Sequence, residues 1–199
     1  MPWNWPVEVN YLEAKAFCNW KKEKTGLPIR LMTEEEWYLM HDLAKVPDLP
    51  DWESAPGTIN LEHYQSPCPV DQYQFGEFYD LIGNVWQWTE TPISGYEGFK
   101  IHPSYDDFST PTFDLRHNMI KGGSWISTGN EAIRASRYAF RRHFYQHAGF
   151  RYVSSYQEVV IRDESYETDP EVILWCETHY GQPTGSVPNF QKAIADFYT

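Results

Sequence analysis

The stretch Arg137-Tyr138-Ala139-Phe140-Arg141-Arg142-His143 is the densest set of side chains in this sequence suited to holding a small charged molecule. A guanidinium is planar and carries a fixed fork of N–H donors, so it meets an amino-acid carboxylate with two parallel hydrogen bonds. Arg137, Tyr138, Arg141, Arg142 and His143 are therefore candidate substrate-binding residues. The competing reading is a surface arginine cluster that balances nearby acid. His143 and His147 stand four apart, the spacing of two metal ligands on one helical turn. Gly149-Phe150-Arg151 just beyond reads as a strand, however, so no metal site is assigned to this chain.

Those residues need elements to position them. Residues 8–25 predict a helix, with Leu12, Ala16 and Trp20 recurring at four-residue spacing as its core face and Phe17 beside them. Lys21, Lys22 and Lys24 suit its C-terminal end, and Gly26 is its stop. Residues 27–31 are too short for a helix and read as a strand. Thr33 and Glu36 have the spacing of a capping box, which predicts a second helix running to about Leu43. Residues 47–80 read as irregular, 81–89 as a strand or bend, and 90–118 as a long loop. Residues 119–125 predict a strand kinked at Gly122-Gly123, and 149–153 another. Trp86 and Trp88, two apart in an extended segment, share one face. Short helices are expected at 170–180 and from 189.

The chain has 199 residues, 16 Lys+Arg against 28 Asp+Glu, and a net charge of −12. With no basic surplus there is no electrostatic drive toward nucleic acid. No stretch approaches the roughly 18 apolar residues of a membrane span. The N-terminus lacks the basic and apolar regions of a signal peptide, and the three cysteines lie far apart, so a reducing, cytoplasmic setting is expected. Aromatic residues make up 17% of the chain, with 12 Gly and 14 Pro, which predicts short elements and long ordered loops around a few large side chains. From Tyr152 onward eight acids face two bases, and this shift places a boundary near 153–157.

Four segments then appear in order: RLMTEEEW (30–37), CPVDQYQFGEFYDLIGNVWQWT (68–89), IKGGSW (120–125) and HAGFRYV (147–153). Together they resemble the formylglycine-generating-enzyme, or sulfatase-modifying-factor, domain. This resemblance implies an α+β, loop-rich, partial variant C-type-lectin fold over 1–153, with 154–199 as an acidic linker and helical extension. The domain's copper-binding cysteines would fall at Ser127 and about Ala132, and a hydroxyl and a methyl cannot perform thiolate–metal chemistry. A calcium-binding carboxylate of the same family falls at Gln87, which puts a calcium site in doubt.

The segments MPWNWPVEVNYLEAKAFCNW, HPSYDDFSTPTFD, IKGGSWISTGNEA and SRYAFRRHFYQHAGFRYV resemble, more specifically, the ovothiol-synthase (5-histidylcysteine sulfoxide synthase) family. The resemblance implies a fragment of a nonheme iron, O2-dependent oxidoreductase that joins cysteine sulfur to the imidazole of histidine. It places the Fe(II) ligands in a DinB-like helical bundle outside this chain. It also implies that 154–199 is an acidic linker and the truncated start of an S-adenosylmethionine-dependent methyltransferase, whose cofactor site is not in this chain. Tyr105 matches the family's active-site tyrosine, with Tyr96 as the runner-up, and Asp106 and Asp107 beside Tyr105 read as turn residues. The acidic residue that the related ergothioneine sulfoxide synthases carry in this arginine stretch is Ala139 here, which implies an altered pocket. A non-catalytic lectin-like binding module is the alternative, in which aromatic and glycine residues serve packing alone.

Overall fold

A computed structural model describes residues 2–51, 57–62 and 64–154. The expected helices at 170–180 and from 189, and the acidic extension 154–199, lie outside these residues except for Ser154.

Helix α1 (Tyr11–Thr25) starts where Asn10 accepts the Glu13 amide and Glu13 reaches back to the Asn10 amide, both at 3.0 Å. It ends at Gly26, whose φ of 68° suits a residue without Cβ. Strand β1 (Ile29–Leu31) follows, then α2 (Glu34–Leu43), closed by the expected Thr33/Glu36 box. Short strands β2 (Gln74–Phe75) and β3 (Phe78–Tyr79) form a hairpin inside the segment expected to be irregular. Strand β4 (Trp86–Pro92) runs three residues past its expected end. The expected loop at 90–118 also contains a 3-10 turn (Pro103–Tyr105) and α3 (Asp106–Thr112). Strand β5 spans His117–Lys121, α4 Gly129–Ala132 and β6 Tyr138–Arg141. Gly122-Gly123 terminates β5 rather than kinking it. The expected strand at 149–153 is two strands in two sheets, β7 (Ala148–Phe150) and β8 (Tyr152–Ser154), with Arg151 at the break.

The main sheet has the order β6-β5-β4-β7; β4 lies antiparallel to β5 and parallel to β7. A separate β1–β8 pair closes the domain. Side chains alternate across the sheet, as the two-residue period of a strand requires. Trp86, Trp88 and Ile120 face α1, where Tyr11, Ala14 and Cys18 complete a buried apolar core. Trp86 and Trp88 thus share a face as expected. The helical stripe differs from expectation: Leu12, Ala16 and Trp20 are exposed, and the buried set lies one position before or two after them in the helical repeat. The physical reason is that α1 packs through residues able to meet Trp88 closely: the Tyr11 ring stands edge-on to it at 6.1 Å and the Trp88 indole donates to the Val9 carbonyl.

The turn before β4 is set by backbone geometry. Gly83 has φ 72°, and a Cβ there would lie 2.5 Å from the Thr58 carbonyl. The next residue, Asn84, takes φ 63°, accepts the Cys68 amide and donates to the Cys68 carbonyl, each at 3.0 Å. Asn84 therefore pins the 57–68 loop to the start of the sheet.

Candidate functional site

The opposite face of the sheet carries a buried ionic cluster. In strand register Gln87 pairs with Lys121, both point away from the α1 core, and Lys121 reaches α2. Lys121 is fully buried, and its ammonium donates to the Tyr38 hydroxyl at 3.0 Å, to the Arg134 carbonyl at 3.1 Å and to the Ser136 carbonyl. It also sits over the rings of Trp37 and Tyr38, 4.7 and 4.3 Å from their centroids. The carboxylate that balances it is Glu34, at 3.8 Å and itself buried. Glu34 is the first residue of α2, where a negative side chain is favoured by the helix dipole, and its amide donates to Thr91 Oγ1 on β4. Arg137 grips the same carboxylate with both prongs, at 2.8 and 2.9 Å, and donates to the Ser94 carbonyl at 2.8 Å.

Tyr38 joins the buried part of this cluster to the surface. Its hydroxyl donates to Glu34 at 3.2 Å and lies 3.5 Å from the hydroxyl of Tyr96. Tyr96 is exposed, and the Arg137 guanidinium lies 4.2 Å from its ring centroid. Burial pushes the Lys121 ammonium down to about 8 and the Tyr38 phenol well above its ordinary range. A neighbouring imidazole, His41, is also buried and held toward its neutral form, mainly by desolvation. Its ring packs on Trp37 at 5.1 Å.

The expected site residues are divided between the two faces. Arg137 joins Tyr96 in the ionic cluster. Tyr138 turns to the α1 side and packs on Trp86, ring centroids 5.5 Å apart. Arg142 also reaches the α1 side, where it donates to Asn118 Oδ1 at 2.8 Å and stands over the Tyr11 ring. Arg141 and His143 are exposed at the end of β6 and in the turn after it, with the His143 ring against Phe144. Tyr105 is exposed with its ring against His102. The expected arginine cluster is thus not one surface, because consecutive residues of a strand must point to opposite sides.

Glu34, Tyr38 and Lys121 escape the sequence reading. The available signal was a lysine in an otherwise apolar strand directly before Gly122-Gly123, a place where charge requires a buried partner. Glu34 was masked by the more familiar capping role of Glu36, two residues on.

A second polar site lies at the start of β4, around Gln87. A cavity of about 140 Å³ is lined in part by Val7, Asp80, Asn84, Gln87, Phe150 and Arg151. Arg151 donates to Gln87 Oε1 at 2.6 Å, to the Asp80 carbonyl at 2.8 Å and to the Tyr79 carbonyl. The amide nitrogen of Gln87 donates to the Leu81 carbonyl at 3.0 Å. Both ends of Gln87 are therefore engaged, and its oxygen is turned to a guanidinium rather than to a metal. Asp80 Oδ1 has no hydrogen-bond partner, and burial raises this carboxyl to about 6.

The described residues do not fit a thiolate or iron centre. Ser127, at one expected copper-ligand position, is buried and its hydroxyl accepts the Ser124 amide at 2.8 Å, while Ala132 at the other has no donor. Among the described residues no group of three or more His, Cys, Asp and Glu is placed to hold a metal ion. His147 instead faces Glu8 at 3.2 Å. Cys18 and Cys68 are free and buried, and desolvation pushes the Cys18 thiol up to about 11, away from a reactive thiolate. Among the described residues no helix is long and apolar enough to cross a membrane.

Residues 51–156 match the family described as the sulfatase-modifying factor enzyme 1-like domain. The chain is 26% identical over 148 residues to "Ergothioneine biosynthesis protein 1" of Schizosaccharomyces pombe, covering 74% of this chain and 17% of that protein. It is 28% identical over 146 residues to "Hercynine oxygenase" of Mycobacterium tuberculosis, covering 63% of this chain and 31% of that protein. The chain thus spans less than a third of the length of these two relatives, 17% and 31%. The solved structure "Treponema denticola variable protein 1" superposes with a TM-score of 0.58 at 18% identity, over 75% of this chain and 70% of that one, a likeness of fold.

Proposed function

The chain belongs to the sulfatase-modifying factor enzyme 1-like domain family, and from that premise we propose that it forms the substrate-facing wall of an O2-dependent nonheme iron sulfoxide synthase. The reaction we assign joins cysteine sulfur to the imidazole of histidine, as in ovothiol biosynthesis. The observation that carries this reading is the similarity to two relatives named for ergothioneine biosynthesis and hercynine oxygenation, at 26% and 28% identity. Bound iron would supply O2 activation; its ligands are assigned to polypeptide outside the described residues, which offer it no cage.

What these residues contribute is orientation and proton handling. Tyr105 and Tyr96 lie on the excursion between β4 and β5, and their side chains are 62% and 60% exposed, so both phenols can meet a substrate. Exposed Arg141 is the guanidinium open to a substrate carboxylate, and exposed His143 stands two residues beyond it. Arg137 is ion-paired internally, so its role is to hold Tyr96 rather than to bind substrate. The internal hydrogen bonds of Arg137 and Arg142 also favour a second reading, a lectin-like module that uses these arginines for packing.

The test is direct. Full-length protein, loaded with Fe(II) and given cysteine, histidine and O2, is expected to yield a product with the mass of a cysteine–histidine sulfoxide. A full-length protein that binds Fe(II) and forms no C–S-linked product supports the packing module and refutes the synthase. Within the synthase reading, Arg141→Ala is expected to raise KM for an amino-acid substrate, a loss of about 1.5–3 kcal/mol for a charged hydrogen bond.

A further inference from the structure

We propose that Lys121 is a buried proton store that discharges through the Tyr38 hydroxyl to the Tyr96 hydroxyl at the surface. The geometry is a run of neighbouring hydrogen-bonding groups, in which the Tyr38 hydroxyl accepts from Lys121 and donates to Glu34 beside the Tyr96 hydroxyl. Lys121 Nζ lies 3.0 Å from Tyr38 Oη, and Tyr38 Oη lies 3.5 Å from Tyr96 Oη. Lys121 and Glu34 are 0% and 2% exposed, whereas Tyr96 is 60% exposed. The second contact is long for a hydrogen bond, and contacts of this kind tighten when a substrate is bound.

The surroundings suit storage rather than permanent charge. The groups that face Lys121 are Glu34, Tyr38 and His41 on α2, Arg134 and Arg137 before β6, and Tyr96 beyond β4. Glu34 favours the ammonium, while burial and the two guanidinium groups oppose it. The lysine therefore exchanges its proton close to neutral pH instead of holding it as an exposed lysine does.

The transfer balances. Tyr96 gives its hydroxyl proton to a base on a bound substrate, the Tyr38 hydroxyl turns its proton from Glu34 to Tyr96 and passes it on, and Lys121 passes one to Tyr38 and becomes a neutral amine. The cluster is left one proton short, and solvent restores it by the reverse route after product leaves. Only the use of this path in turnover rests on the synthase reading; the path itself belongs to this chain.

The experiment is NMR of the full chain carrying lysine labelled with 15N at Nζ and 13C at Cε. Lys121 is expected to titrate near 8, and its ammonium protons are expected to exchange with solvent at least tenfold more slowly in Tyr96→Phe, a variant that leaves every Lys121 hydrogen bond in place. Wild-type exchange in Tyr96→Phe, or titration in the ordinary lysine range, overturns the proposal. Tyr38→Phe is expected to slow exchange in the same way. A full-length protein that forms no C–S product while Lys121 exchange still depends on Tyr96 refutes the synthase reading and keeps the proton path.

Discussion

The two faces of one four-stranded sheet are built by opposite chemistry. The α1 face is apolar, with Tyr11, Ala14 and Cys18 against Trp86, Trp88 and Ile120. The α2 face, on the other side of the same strands, holds Lys121, Glu34 and Arg137 with Tyr38 between them. The first stabilises mainly by removing apolar area from water, which requires no direction, with hydrogen bonds from Arg142 to Asn118 and from Tyr11 to Glu90 added to it. The second gains little net stability, because desolvating the charges costs about as much as their attraction returns. What the second face does supply is direction: Lys121 donates to Tyr38 and two carbonyls, Arg137 grips Glu34, and the Tyr38 hydroxyl lies beside an exposed phenol. A buried cluster with little net stability and a defined exit is the part of the fold best suited to chemistry.

The comparison breaks first at its two centres. Trp88→Ala is expected to destabilise by about 3–5 kcal/mol through lost area and a cavity, equally at pH 6 and pH 9. Glu34→Ala is expected to cost a similar ~3–5 kcal/mol at pH 6, since it strands Lys121 and Arg137 without a counter-charge. Its cost should shrink above pH 8, where Lys121 is already neutral. Urea unfolding at the two pH values separates the faces. Equal costs at both pH values for Glu34→Ala would show that Lys121 is not titrating.

A smaller effect is expected at the Asp80 site. A carboxyl raised to about 6 binds a proton more tightly in the folded chain than in the unfolded one, so its contribution to stability falls as pH rises from about 4 to 6. Asp80→Asn is therefore expected to stabilise the protein on the order of 2–3 kcal/mol at pH 7.5 and to change little near pH 4. Denaturant midpoints at the two pH values decide it; destabilisation at pH 7.5 would mean that the ionised carboxylate has a cation partner.

The smallest effect belongs to the outer stripe of α1. Leu12→Lys and Trp20→Lys should each shift stability by no more than about 0.5 kcal/mol, because these side chains are exposed. Ala14→Leu, on the buried side of the same helix, is expected to cost about 1–3 kcal/mol by overpacking. A large loss from Trp20→Lys would place a partner on the outer stripe.

Much of the frame was legible in the residues. The Thr33/Glu36 box marked α2, Gly26 marked the end of α1, and the Trp86/Trp88 pair marked the core face of β4. The helical extent of α1 was legible but its buried side was not, since two apolar stripes compete on it and only the contact with Trp88 chooses between them. The break at Arg151 was hidden because one alternating segment serves two sheets. At the ionic cluster, the sequence singles out Tyr96 as a candidate catalytic phenol and Arg137 as a candidate substrate binder, but not the residues that surround them, Glu34, Tyr38 and Lys121. Those partners lie 58 to 103 positions away from the residues they meet, a pairing that only the folded sheet creates.

On the proposed synthase reading, the sharpest test is the product partition of the full-length protein, C–S-linked sulfoxide against oxidised cysteine, in three phenol deletions. Tyr105→Phe and Tyr96→Phe are expected to move the partition toward oxidised cysteine, while Tyr138→Phe, on the α1 face against Trp86, leaves it unchanged. A wild-type partition in both loop variants, with a shift in Tyr138→Phe, contradicts it.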